Sequence, residues 1–163
     1  MKKVIPFLLL LLIVCFSTGC NNNNNEVNTN SNLNKNETIN NKENVNTMKV
    51  IINDKSYEVE LFDSVTKNEI INMLPLELAL QRYAEHEYYS ELPSKPTMDS
   101  NTTSNILAGH IYYWDGWNAF VINYEDYDIT PYKVVHIGEI KDKSIVDYLR
   151  KADKNVKIKL EVE

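Results

Sequence analysis

Cysteine is almost missing from this 163-residue chain: Cys15 and Cys20 are the only two, both within the first twenty residues. No disulfide can therefore staple the remainder, and no thiol is available there as a nucleophile or metal ligand. Glycine is just as scarce, with Gly109, Gly116 and Gly138 the only ones beyond Gly19. That excludes the glycine-rich loops that cradle phosphates, and no nucleophile-elbow serine motif is present either. His86, His110 and His136 lack the spacing of a metal-ligand set, and the acidic turn Glu125–Asp128 lacks the glycine and distal glutamate of a calcium loop. No metal and no cofactor is expected. Positive charge is short, with 17 Lys and Arg against 23 Asp and Glu, and 13 against 20 over residues 48–163. An acidic domain has no electrostatic footprint for nucleic acid or anionic lipid. Its 116 residues suffice for one core but leave no room for a two-domain enzyme or a TIM barrel.

What the chain does have begins with Lys2-Lys3 and one apolar run, Val4–Phe16. At 13 residues the run falls short of the roughly 20 needed to span a bilayer and suits the core of a signal peptide. Ser17-Thr18-Gly19-Cys20 follows and resembles the lipobox of bacterial lipoproteins, departing from it at Ser17, where leucine is usual. That resemblance implies cleavage after residue 19, acylation of Cys20 and an address on the outer face of the cell membrane. Ordinary secretion, with Cys20 left as a free thiol, is the alternative. Residues 20–47 read as a flexible tether: 14 of the 27 positions after Cys20 are asparagine, with too few large aliphatics to offset the cost of ordering. The tether's expected reach is roughly 25–30 Å.

Residues 48–163 read as a mostly β domain. Met48–Ile52 and the alternating Tyr57, Val59 and Leu61 flank an Asn53-Asp54 turn, the mark of a hairpin. Thr66–Glu69 fits a capping box opening a short helix that Pro75 stops. Leu76–Leu80 suits a strand or a helix, and Tyr88-Tyr89 belongs to another strand. A long polar loop follows Pro93, then a hairpin, His110–Trp114 and Ala119–Tyr124, turning at Asp115-Gly116. Val134–Ile140 forms a strand interrupted by Gly138, Ser144–Ala152 a second helix, and Val156–Val162 a closing strand. About eight strands and two helices result, and a closed barrel is the natural way to remove exposed edges.

The succession Met73-Leu74-Pro75-Leu76, Glu87-Tyr88-Tyr89 with Leu92-Pro93, Ala108-Gly109-His110-Ile111-Tyr112 and Ile137-Gly138-Glu139-Ile140 resembles a small bacterial cyclophilin-like domain family. The resemblance implies an eight-stranded barrel with a helix at each opening. It also invites prolyl isomerisation, in which a guanidinium donates to the proline nitrogen as the amide twists over a barrier of about 18–20 kcal/mol. Mainstream cyclophilins carry that arginine in a Phe-His-Arg run followed by Gln-Gly-Gly, and this sequence has neither. Arg82 is the one candidate catalytic residue, since Arg150 reads as surface.

A binding module is the leading expectation. Eleven aromatics fall between Tyr83 and Tyr132, and strand alternation forbids Tyr112, Tyr113 and Trp114 from all facing inward. Tyr112, Tyr113, Trp114, Trp117 and Phe120 are therefore the candidate contacts for a peptide or small-molecule ligand, with Trp117 in a turn where burial is hardest. The domain is expected to be a monomer that meets the membrane only through its anchor.

Overall fold

A computed structural model describes residues 45–162. The expected signal segment, Cys20 and nearly all of the asparagine-rich tether lie outside the described residues. Strands β1 (Thr47–Ile52) and β2 (Lys55–Leu61) pair antiparallel up to Ile52 opposite Lys55. Asn53 and Asp54 make the turn at φ +48° and +64°, the left-handed region their short polar side chains tolerate best. Helix α1 (Val65–Asn72) is capped by Ser64, whose hydroxyl accepts from the Lys67 amide, rather than by Thr66. Thr66 instead donates to the Thr97 carbonyl and accepts from the Asp99 amide, tying the long loop to the helix.

The ambiguous Leu76–Leu80 segment is a strand. β3 (Leu76–Tyr83) pairs over six residues with β11 (Asn155–Val162), and its other edge meets β4 (Glu87–Glu91). The long loop carries two-residue strands, β5 (Thr102–Thr103) and β6 (Asn105–Ile106), which the polar composition hid. β7 (His110–Trp114) and β8 (Ala119–Asn123) form the expected hairpin. Its turn is a 3-10 segment, Asp115–Trp117, closed by Asn118 in the left-handed conformation, so Asn118 and not Gly116 reverses the chain. After β9 (Tyr127–Asp128), which pairs with β6, come β10 (Val134–Ile140) and helix α2 (Ser144–Lys151).

Eight strands close on themselves in the order β2-β1-β11-β3-β4-β8-β7-β10 and back to β2, every pairing antiparallel. Gly138 sits at the seam: the register slips beside it in the β7 pairing, and it lies opposite both Ile111 and Leu61. A Cβ there would stand 2.5 Å from the Glu60 carbonyl oxygen, so the strands can close only around a glycine. An eight-stranded barrel is just wide enough to be filled by side chains. Val50, Val59, Leu80, Tyr88, Ile111, Tyr113, Phe120, Ile137 and Leu160 fill it. Helix α1 joins β2 to β3 at one end and α2 joins β10 to β11 at the other, and Ile70, Ile71, Ile145 and Leu149 complete the same core.

Candidate functional site

A second apolar cluster lies on the outside of the barrel wall. Alternation turns Tyr112 and Trp114 of β7, Ala119, Val121 and Asn123 of β8, and Glu87 and Tyr89 of β4 outward. The register sets Tyr112 beside Val121, Tyr89 beside Val121 and Glu87 beside Asn123. Ile106, Ile129 and Val134 from the flanking loops pack against this face. Between wall and loops runs a groove of about 560 Å³.

One end of the groove is aromatic. Trp114 and Trp117 have ring centroids 4.4 Å apart, Tyr83 meets Trp117 edge-on at 5.1 Å, and Tyr132 meets Trp114 at 6.2 Å. The other end is polar and shielded. His86 stacks flat on Tyr127 at 4.5 Å, and its Nδ1 faces the Ala84 carbonyl at 2.8 Å, which fixes a proton on that nitrogen. His86 Nε2 lies 3.5 Å from Glu87 Oε2. Burial pushes the Glu87 carboxyl up to about 7, because the low-dielectric wall penalises its charge. Asn123 is 1% exposed; its Nδ2 reaches the His86 carbonyl at 3.5 Å, while its Oδ1 has no hydrogen-bond partner among the described residues. A buried acceptor without a donor costs about 1–3 kcal/mol, and such an atom at a groove wall is suited to a ligand's N–H or O–H.

The sequence matches the cyclophilin-like family over residues 50–161. The chain belongs to that family. Among curated proteins none matches it. Among solved structures, McbB in complex with tryptophan superposes with a TM-score of 0.51 at 9% identity, over 71% of this chain and 44% of that one. The hypothetical protein AF2241 from Archaeoglobus fulgidus gives 0.49 at 17% identity, over 73% of this chain and 96% of that one. At such identities these likenesses concern the fold alone.

Within this cyclophilin-like barrel the expected contact residues divide. Tyr112, Trp114 and Trp117 line the groove, and Trp117 is 41% exposed. Tyr113 and Phe120 are turned the other way: paired in register, both fully buried, they fill the barrel interior and do not face the groove. Strand alternation requires this once Tyr112 and Trp114 face out. Arg82 also lies away from the groove. Its guanidinium donates to the Tyr124 hydroxyl at 2.8 Å and to the Leu149 and Ala152 carbonyls at 2.6 and 3.0 Å, closing the last turn of α2. All its reach is spent on the fold, so its geometry is that of a helix-capping arginine.

Glu87, Asn123, Tyr83 and Tyr132 are groove residues that spacing along the chain did not suggest, because the β4–β8 register and the packing of a loop bring them together. His110 and His136 sit on neighbouring strands, with Nδ1 and Nε2 2.8 Å apart, and Tyr112 stacks on His136 at 4.7 Å. Burial and then the neighbouring His110 push His136 down to about 4. Among the described residues, no three His, Cys, Asp or Glu side chains gather to hold a metal ion.

Proposed function

We propose that this cyclophilin-like domain is a non-catalytic binding module. It takes a peptide or small ligand in the aromatic groove on the barrel's outer wall, and a lipid anchor on Cys20 presents it at the outer face of the cell membrane. One observation carries the binding reading: a cleft of about 560 Å³ walled by two touching tryptophans and ending at a buried oxygen without a donor. Ligand sites typically enclose about 300–1,000 Å³, mostly apolar with a few placed polar groups. The packed barrel interior offers no comparable lining, and Arg82 is committed to α2.

The chain's only two tryptophans both line the groove, so intrinsic emission reports on it selectively. Titrating the protein with Xaa-Pro peptides and small aromatic compounds is expected to find members that shift this emission, and Trp117→Ala to weaken them about tenfold. NMR exchange spectroscopy on the same Xaa-Pro peptides is expected to show no faster cis–trans exchange. Catalysed exchange, or affinity indifferent to Trp117→Ala, would remove this reading.

A further inference from the structure

We propose that the occupant of the groove is a small protonated amine with a planar apolar body. The inference rests on the groove being the binding site and adds the chemistry of what it selects.

Among the described residues, Glu87 and Asp128 are the acidic side chains lining the groove, and no lysine or arginine lines it. The polar groups at its shielded end divide by whether they are already engaged. His86 Nδ1 is engaged with the Ala84 carbonyl, and Asp128 Oδ1 accepts from both the amide and the hydroxyl of Thr130. The Asn123 amide nitrogen is turned to the His86 carbonyl. Glu87 Oε2 faces His86 Nε2 at 3.5 Å. The accepting capacity that remains is Asn123 Oδ1, with the Glu87 carboxyl beside it in the β4–β8 register. A ligand completing this end must bring donors, and an ammonium brings three.

Charge and ring chemistry point the same way. An anion entering here would meet two carboxyl side chains, a buried acceptor and no cation to offset its desolvation. A cation finds at the Asn123 end an open acceptor and the Glu87 carboxyl, which a neighbouring positive charge draws toward its ionised form, while the tryptophan end offers ring surface to an apolar body. The two ends of the groove lie at opposite ends of β8: Asn123 is its last residue, and Trp114 pairs with Ala119, its first. Four strand steps separate them, or about 13 Å. A ring at the tryptophan end and a nitrogen at the Asn123 end therefore require a short linker between them. Once a van der Waals contact at the ring end and a hydrogen bond at the nitrogen end are allowed for, a compact arylalkylamine spans the remainder, and the groove volume suits one such molecule better than an extended peptide.

Three probes matched in shape and differing in one group provide the test: phenylbutylamine, phenylbutanol and phenylbutyrate. Binding is read from tryptophan emission and from the indole and Asn123 side-chain signals in proton–nitrogen NMR spectra of the purified protein. The amine is expected to bind about tenfold or more tighter than the alcohol, with the carboxylate weakest. Glu87→Gln is expected to erase most of that preference by weakening the amine, and an unchanged far-ultraviolet circular dichroism spectrum shows that the variant is folded. Asn123→Asp, which keeps the acceptor, is expected to retain the preference, and Asn123→Leu to lose it. If the three probes bind equally, or if Glu87→Gln leaves the amine preference intact, the amine inference falls while the groove remains a binding site. If no probe moves the indole signals but Xaa-Pro peptides do, the occupant is a peptide and the inference is wrong. If neither class moves them, the inference and the binding reading fall together.

Discussion

Arg82 looks like a catalytic candidate in the sequence and a structural one in the fold, because its partners are backbone carbonyls that only folding brings within reach. Leu149 and Ala152 lie at the end of α2, where carbonyls have no partner within the helix. Arg82→Ala is expected to destabilise the protein by about 2–4 kcal/mol in urea unfolding, since it strands charge-assisted acceptors and removes a guanidinium packed beside Tyr88 and Tyr124. Arg82→Lys restores only part of this, lacking the fork. Groove affinity is expected to stay the same in both variants. The His110–His136 pair yields a second prediction at this scale. His136 titrates near 4 in the fold against about 6.5 unfolded, so between those values the unfolded chain binds more protons. The pair's contribution to stability is thus fully present above about 6.5 and is lost as pH falls toward 4. Allowing for solvent screening of a partly exposed ring, the loss is on the order of 1 kcal/mol. His136→Phe keeps the stacking and is expected to flatten that part of the stability–pH curve. Burial raises Glu87 in the opposite sense, so its own contribution is lost as pH rises through about 7. The profile is therefore to be compared with that of the same variant carrying Glu87→Gln.

Among the elements, those that carry their instructions in neighbouring residues were legible and those assembled by distant partners were not. Tyr57, Val59 and Leu61 alternate, and they are buried on one face of β2. Asn53-Asp54 and the turn before Ala119 announce the two hairpins, although Asn118 supplies the left-handed residue in the second. The period of Leu76–Leu80 served strand and helix alike until six residues of pairing with β11 decided it. The helix start was misplaced by two residues because Ser64 and Thr66 are both good caps, and the Thr97 and Asp99 backbone claims Thr66. Alternation sets Tyr112 and Trp114 on the face opposite Tyr113 but does not say which face is outward, and Glu87 and Asn123 become neighbours through register alone. Gly138 read as a mere interruption of β10, and its role depends on how close β2 approaches. Gly138→Ala is expected to cost about 1–3 kcal/mol through overpacking against Glu60. Amide exchange should locate the damage: protection at Leu61 and Ile140, which flank the seam, should fall further than at Ile158 on the far wall.

For the whole molecule, address and fold are separate questions with separate tests. In protein recovered from membranes, mass spectrometry is expected to find acyl chains on Cys20, and Cys20→Ser to abolish them while the secondary structure and groove affinity of residues 45–162 stay unchanged. A Cys20 without acyl chains would argue against the lipid anchor. The barrel's closure has a kinetic consequence. β11, the last eight residues of the described domain, is inserted between β1 and β3, so residues at the front of the domain pair with partners over a hundred positions later. Contacts so distant in sequence are slow to form, since the loop must be closed before any pairing offsets its entropy. Until β11 arrives, β1 and β3 stand as two open apolar edges facing a gap one strand wide. The domain is therefore most exposed to misassembly when all of its strands but β11 have formed, and docking of that strand is the event that makes it safe.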